Sequence, residues 1–499
     1  MKTKRTVQNS PIYQHRYHIV GALLAVMAIF MAVYNFWSLP AGLTQVEMES
    51  AATSGNLSLS ALLTPTANDN WQFYVGLPWL IVQGASIKLF GLSAMAIRLP
   101  AVLLAITSVG LIIWLLKRLL KPSSAMMGGL LLVSSAFMIS LARSGIPAIM
   151  TVLLMALLCL LGHGIINSKQ HRGTRMILVG VVAGLLCYVP AGVYIVIAMS
   201  AIGLAHPKSR LVLKTHKKCL SLEATAFIAS IAPLLYAIIT TVLAGKYSLI
   251  NQLLFVGAPS VDNLRTLANA YAGPQAIVLG GLLTPMLTIV GLVMVFVGWT
   301  ILTKDAVASI RSYLTIGLML VGIALGICNP DFVYVLFIPA VILETICLSY
   351  LTDKWYKLFP SNPYARVFGI LPLAILIGSL SAVDMDRYFN MVSYSKDVVY
   401  QYDQTLPQVQ SLISHNRDQE YALVVPSSDY DLYRQFDSNK IKTYAKDKLT
   451  QQDLQDINKN TQVVVLGKVE FKDPKAAKLV RIAADWRKDS APLFKVYEK

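Results

Sequence analysis

Carboxylates are scarce in most of this 499-residue chain, so each one is informative: residues 1–385 hold 10 Asp and Glu against 25 Lys and Arg. Glu47 and Glu49 stand in a polar stretch, LTQVEMESAATSGNLSL, just beyond the first apolar run. A carboxylate held at a membrane surface beneath a covering loop suits a general base that takes a proton from an acceptor hydroxyl. Glu47 is the first candidate and Glu49 the second; the alternative is a pair of solvated loop acids, the commoner fate of such residues. The two together also suggest a divalent-cation site through oxygen ligands, but two carboxylates alone make a poor one, and no cofactor is certain. Lys88, Arg98 and Arg143 are among the few basic residues on the outer side of the apolar half and suit an anionic leaving group such as phosphate. Headgroup snorkelling at a helix end is the alternative for each. Asp69, Tyr188 and Tyr334 are lesser candidates for a substrate pocket, the tyrosines otherwise packing at a membrane interface.

The elements that must position these groups are apolar. Hydrophobic residues make up 55% of the chain and charged ones only 14%, with mean hydropathy +0.58; a soluble protein carries about 25% charged residues. The chain reads as a polytopic α-helical protein resident in the lipid bilayer. Most of the net charge of +17 falls between the apolar runs of residues 1–385, which excludes a nucleic-acid partner as the cause of the basic balance. The five cysteines form no disulfide framework or zinc spacing, and HExxH and phosphate-loop motifs are absent.

About eleven spans follow from the apolar runs. Residues 124–166 are too long for one span and break at RSGIP (143–147), where Gly and Pro interrupt a helix. Residues 176–206 split at YVPAG (188–192) into two short helices. With the N-terminus cytoplasmic, 20 Lys and Arg fall inside and 5 outside, the bias expected of a plasma-membrane protein. The first outer loop, 40–95, carries the candidate site. Its apolar stretch 71–90 is expected to lie along the outer interface, anchored by Trp71, Tyr74 and Trp79. The domain of residues 1–385 then gives way to a soluble, extracytoplasmic α/β domain, 386–499. Strands are expected at 420–426, 440–445, 461–467 and 492–498, and helices at 400–416, 428–437, 449–458 and 473–487.

The order of these features resembles a known family. A first helix, a loop acid, IKLFGLSAMAIRLPAVL (87–103), LARSGIPAIM (141–150) and GLLCYVPAG (184–192) are similar to the polyprenyl-phosphate-dependent glycosyltransferases of the GT-C fold. The nearest are the protein O-mannosyltransferases and the lipid A aminoarabinose transferases, the family 39-like group. LFG-x-S-x-x-A-x-RLP is the most specific string. The resemblance implies transfer of a sugar, with inversion, from a polyprenyl-phosphate donor to an extracytoplasmic protein, lipid or glycan hydroxyl. It also implies an Asp-Glu pair in the first loop, where this chain has Val46-Glu47; Lys-Pro-Pro is replaced by Val75-Gly76-Leu77, and the acid after Arg-x-x-x-Pro by Ala148. A transporter or lipid flippase is the competing class, but it would place its ionisable groups near the bilayer midplane. A non-catalytic relative that binds lipid-linked sugar is the third reading.

Overall fold

Seven helices among the described residues are long and apolar enough to cross a membrane, or up to nine if each of two bent pairs forms one span. Leu77–Phe90 and Ile289–Lys304 are shorter apolar helices. The computed structural model describes residues 11–36, 39–67, 70–168, 170–272, 277–279, 281–284, 286–304, 309–359, 363–416, 419–449, 461–471, 478–485 and 492–498.

Both breaks at Gly and Pro are present. Ala136–Arg143 ends at RSGIP and Ala148–Asn167 begins just after it. Arg172–Leu186 stops before YVPAG, and Gly192–Ala205 resumes beyond, with Ala191 in the left-handed region at φ 61°. A third break was not expected: Pro122–Ser134 and Ala136–Arg143 meet at 55° about Ser135. No Gly or Pro marks that bend in the sequence.

In the stretch 71–90, two of the expected surface anchors lie inside the protein. Tyr74 and Trp79 are buried, and Trp79 Nε1 donates to Ser50 Oγ at 2.9 Å. Leu77–Phe90 packs one face on the helix Gln45–Gly55 and buries Trp79 there, while Ile81, Leu89 and Phe90 stay exposed on the other face. Full burial of a large apolar side chain contributes roughly 1.5–3 kcal/mol. Gly84 permits the approach, since a Cβ there would stand 2.5 Å from the Ser54 carbonyl oxygen.

At the C-terminus lies a small sheet domain, with strand order Ile441–Ala445, Glu420–Val425, Thr461–Leu466, Phe494–Glu498, Lys478–Ala483. The first three strands run parallel and the last two pair antiparallel. Thus a strand occupies 478–483 where a helix was expected over 473–487. Its antiparallel pairing with Phe494–Glu498 supplies backbone partners that local helix propensity does not anticipate. The expected helix 449–458 lies, apart from Leu449, outside the described residues. The helix Pro363–Tyr394 runs on past the change of composition near residue 386.

This domain is docked on the first loop. Leu43 and Asp403 exchange two backbone hydrogen bonds of 2.8 Å, Gln435 Nε2 donates to the Ala51 carbonyl at 3.1 Å, and Asn56 Nδ2 to the Asp431 carbonyl at 3.1 Å. Leu43, Met48 and Ala51 share one apolar core with Leu406, Val409 and Tyr433. Loop and sheet are therefore held as a unit.

Candidate active site

The helix Gln45–Gly55 starts with a capping box. Thr44 Oγ1 accepts the Glu47 backbone N–H at 3.2 Å, and Glu47 Oε2 accepts the Thr44 N–H at 2.9 Å. This reciprocal pair satisfies two otherwise unpaired donors of the first turn. Glu47 is consequently turned inward and is 0% exposed, whereas Val46 beside it is 37% exposed.

The RLP string brings Arg98 to meet it. Gly91, at φ 76°, ends the preceding helix, and Ser93 Oγ caps the next by accepting the Ala96 N–H at 3.0 Å. Pro100 has no N–H to give the Ala96 carbonyl four residues back; Ser86 Oγ donates to that oxygen instead, at 2.7 Å. Arg98 then reaches Glu47 through two bonds, Nε to Oε1 at 2.7 Å and Nη2 to Oε2 at 2.9 Å. Its Nη1 donates to the Pro40 carbonyl at 2.9 Å and its Nη2 to that of Gly42 at 2.5 Å. The Gly145 N–H adds a bond of 2.7 Å to Glu47 Oε1, and Thr44 Oγ1 lies 3.4 Å from Oε2. Gln83 Nε2 donates to the carbonyls of Ile97 and Gly145 at 3.2 and 3.1 Å, tying the two arms together.

The expectation gave Glu47 and Arg98 separate duties, one as base and the other as phosphate contact. In the structure they are each other's partner. Five donor contacts surround a carboxylate with about four lone-pair directions, so no acceptor site on Glu47 remains for a proton in this conformation. Arg98 is likewise committed and only 3% exposed. Breaking such a buried pair costs about 3–5 kcal/mol. Glu49 faces the other way, exposed, and accepts a bond from Gln45 Nε2 at 2.9 Å; the two glutamates do not converge as a metal site would require.

Arg143 differs. At the end of the helix Ala136–Arg143 it is 0% exposed, and Nη2 donates to the Leu39 carbonyl at 2.8 Å. Nε and Nη1 are buried without a hydrogen-bond partner among the described residues. Tyr388 and Phe389 place their rings 5.5 Å from its Cζ, within cation–π range. Glu47 and Arg98 neutralise one another beside it, so the cluster keeps one net positive charge.

The remaining candidates do not join this cluster. Lys88 is exposed and donates to the Leu57 carbonyl at 3.2 Å. Tyr188 is buried, donating through its hydroxyl to the Ser230 carbonyl at 3.1 Å. Tyr334 is buried edge-on to Phe332 in the large apolar core that also holds Tyr388. Asp69 lies outside the described residues. Tyr388 and Phe389 were not legible because the fall in apolar content near 386 resembles a domain boundary, although the helix Pro363–Tyr394 runs through it. The capping box was legible: Thr44-x-x-Glu47 is the spacing that marks a helix start.

Residues 75–237 match the family model for dolichyl-phosphate-mannose-protein mannosyltransferase. Among solved structures, ArnT from Cupriavidus metallidurans bound to undecaprenyl phosphate superposes with a TM-score of 0.54 at 13% identity, covering 97% of this chain and 98% of that one. The chain has the GT-C fold. ArnT in the apo state gives a TM-score of 0.52 at 12% identity over 97% of both chains. The apo oligosaccharyltransferase of Archaeoglobus fulgidus gives 0.53 at 11% identity, covering 88% of this chain and 65% of its own. No curated protein matches the chain in sequence. A GT-C fold with this many apolar spans is that of an integral membrane protein.

Proposed function

We propose that the chain is a membrane glycosyltransferase that moves a sugar from a polyprenyl-phosphate donor to an extracytoplasmic acceptor hydroxyl, with Arg143 as the contact for the leaving phosphate. One observation carries this reading: a guanidinium with no exposed surface and two nitrogens without a hydrogen-bond partner among the described residues. A buried, uncompensated charge is costly, and an anionic oxygen at Nε and Nη1 would complete it with charge-assisted bonds. The match to the mannosyltransferase model and the likeness to a structure bound to undecaprenyl phosphate support the same class of donor.

In the transfer step the acceptor oxygen bonds to the anomeric carbon from the face opposite the leaving group. The bond from that carbon to the phosphate oxygen breaks, its electron pair leaves with the lipid phosphate, and the anomeric configuration inverts. The guanidinium of Arg143 stabilises the charge that develops on that oxygen. In this reading Glu47 and Arg98 act as a clamp that fixes the first loop against the Arg143 helix. The released phosphate, whose second pKa is about 6, is then the acceptor for the hydroxyl proton. The basic inner loops orient the protein in the plasma membrane with the sheet domain outside, where it covers the first loop and borders the acceptor.

Purified protein incubated with labelled polyprenyl-phosphate sugars tests this. Transfer to an acceptor is expected from the wild type and at least tenfold less from Arg143→Gln; transfer unaffected by that substitution overturns the role of Arg143. The filled lone pairs of Glu47 favour one second reading, a non-catalytic relative that binds lipid-linked sugar. Tight donor binding with no transfer from any donor would establish it.

A further inference from the structure

Two carboxylates that the proposed transfer does not use line one small cavity in the membrane part. Glu344, in the helix Phe337–Leu358, and Asp384, in the helix Pro363–Tyr394, border it together with Ser135, Leu287 and Thr288. Glu344 is 8% exposed. It lies nine residues before Asp353, about 14 Å along the axis, and the exposed ion pair of Asp353 with Lys121 stands at one membrane surface. The acid is therefore deep in a hydrocarbon layer of about 30 Å. Ionisable groups at that depth are rare, and buried charges are paired or hold a cation. Among the described residues, neither carboxylate accepts a hydrogen bond or forms an ion pair.

The other walls supply hydroxyl oxygen. Ser135, at the 55° bend between Pro122–Ser134 and Ala136–Arg143, is 7% exposed, and its Oγ has no hydrogen-bond partner among the described residues. Thr288 Oγ1 accepts the Gly291 N–H at 3.0 Å and keeps a second lone pair. Glu344 Oε1 and Thr288 Oγ1 would stand 2.8 and 3.3 Å from a Cβ on Gly291. The glycine thus lets carboxylate and hydroxyl meet at the first turn of the helix Ile289–Lys304. No third acid, His or Cys joins them as a transition-metal set among the described residues. Carboxylates and hydroxyls suit a hard cation.

Charge and volume narrow the occupant. Arg387, three residues beyond Asp384, donates from Nη1 at 3.2 Å to the carbonyl of Leu287, a residue of the cavity wall. Two carboxylates against one guanidinium leave one negative charge, which a monovalent cation neutralises. The cavity measures about 10 Å³, room for one water-sized occupant. We propose that Ser135, Thr288, Glu344 and Asp384 form a site for one small monovalent cation bound through oxygen. Ser135 starts the helix that ends at Arg143, and Asp384 lies one turn before Tyr388. The ion therefore ties together two elements that frame Arg143. Its binding is independent of the proposed sugar transfer.

Thermal melting of the full-length protein in detergent tests it, with sodium chloride replacing choline chloride at constant ionic strength. Choline is too large for the cavity, so the melting temperature is expected to rise saturably with sodium, by about 2 °C or more. Asp384→Asn should move the midpoint of that titration at least tenfold higher. Gly291→Ala, which sets a methyl group against Glu344 Oε1, should do the same. Ser135→Ala removes only a hydroxyl; it should raise the midpoint too, and serves if the other variants fold poorly. Arg143→Gln should keep the wild-type midpoint, which separates this site from the proposed donor site. Equal melting in sodium and choline overturns the proposal, as does a wild-type sodium midpoint in both Asp384→Asn and Ser135→Ala. A lower midpoint for magnesium than for sodium overturns the assignment of a monovalent occupant.

Discussion

Arg98 and Arg143 are both buried cations near the first loop, yet their surroundings are opposite. Arg98 reaches one carboxylate through two bonds and adds two backbone carbonyls. Arg143 has one carbonyl, two aromatic faces and two nitrogens with no partner among the described residues. A buried charge that is fully paired belongs to the architecture. One that is left incomplete in a folded protein points to a ligand. Chemistry by residue type alone made the two equivalent; their hydrogen bonds separate them.

Breaking the clamp should give the largest effect. Glu47→Gln or Arg98→Met is expected to destabilise the protein by about 3–5 kcal/mol, read as lower yield and a lower melting temperature in detergent. The double variant Glu47→Gln, Arg98→Met should lose less than the sum of the two single changes, by about 0.5–3 kcal/mol of coupling. A folded double variant that still transfers sugar removes Glu47 as a proton acceptor.

Next comes Arg143→Gln. It should melt within about 1 kcal/mol of wild type, because the cation it removes was never fully paired. Its donor affinity should fall by an amount equivalent to about 1.5–3 kcal/mol, the contribution of hydrogen bonds to a charged group. Isothermal titration with a short-chain polyprenyl phosphate reads that loss. Thr44→Ala removes the cap at the start of the loop helix and should cost about 1 kcal/mol, checked by thermal denaturation. Smallest of all, Glu49→Gln on the exposed face should stay within about 0.5 kcal/mol of wild type and leave transfer unchanged.

Much of the architecture was legible because Gly and Pro close together interrupt a helix, whereas a single Pro such as Pro100 or Pro233 is carried inside a continuous one. RSGIP and YVPAG break the apolar runs in the structure as they do in the sequence. The bend at Ser135 was not legible, since nothing in SSAFM forbids a straight helix. Four strands of the sheet domain followed from runs of β-branched residues, whereas Lys478–Ala483 takes its conformation from pairing with a strand later in the chain. Trp79 and Tyr74 were read as interfacial because Trp and Tyr favour the membrane–water boundary; the Ser50 hydroxyl that pairs with Trp79 in the core stands 29 residues away in the chain. At the site, Glu47, Arg98 and Arg143 were found by scarcity of charge. What one sequence does not supply is which of the cations the carboxylate takes, a choice made by the capping box and by the positions of Ser93 and Pro100.

The most direct test of the account is the equilibrium affinity of the folded Arg143→Gln protein for an undecaprenyl-phosphate sugar, measured beside the wild type. The account predicts a loss of at least tenfold with an unchanged melting temperature. An affinity equal to that of the wild type would contradict it.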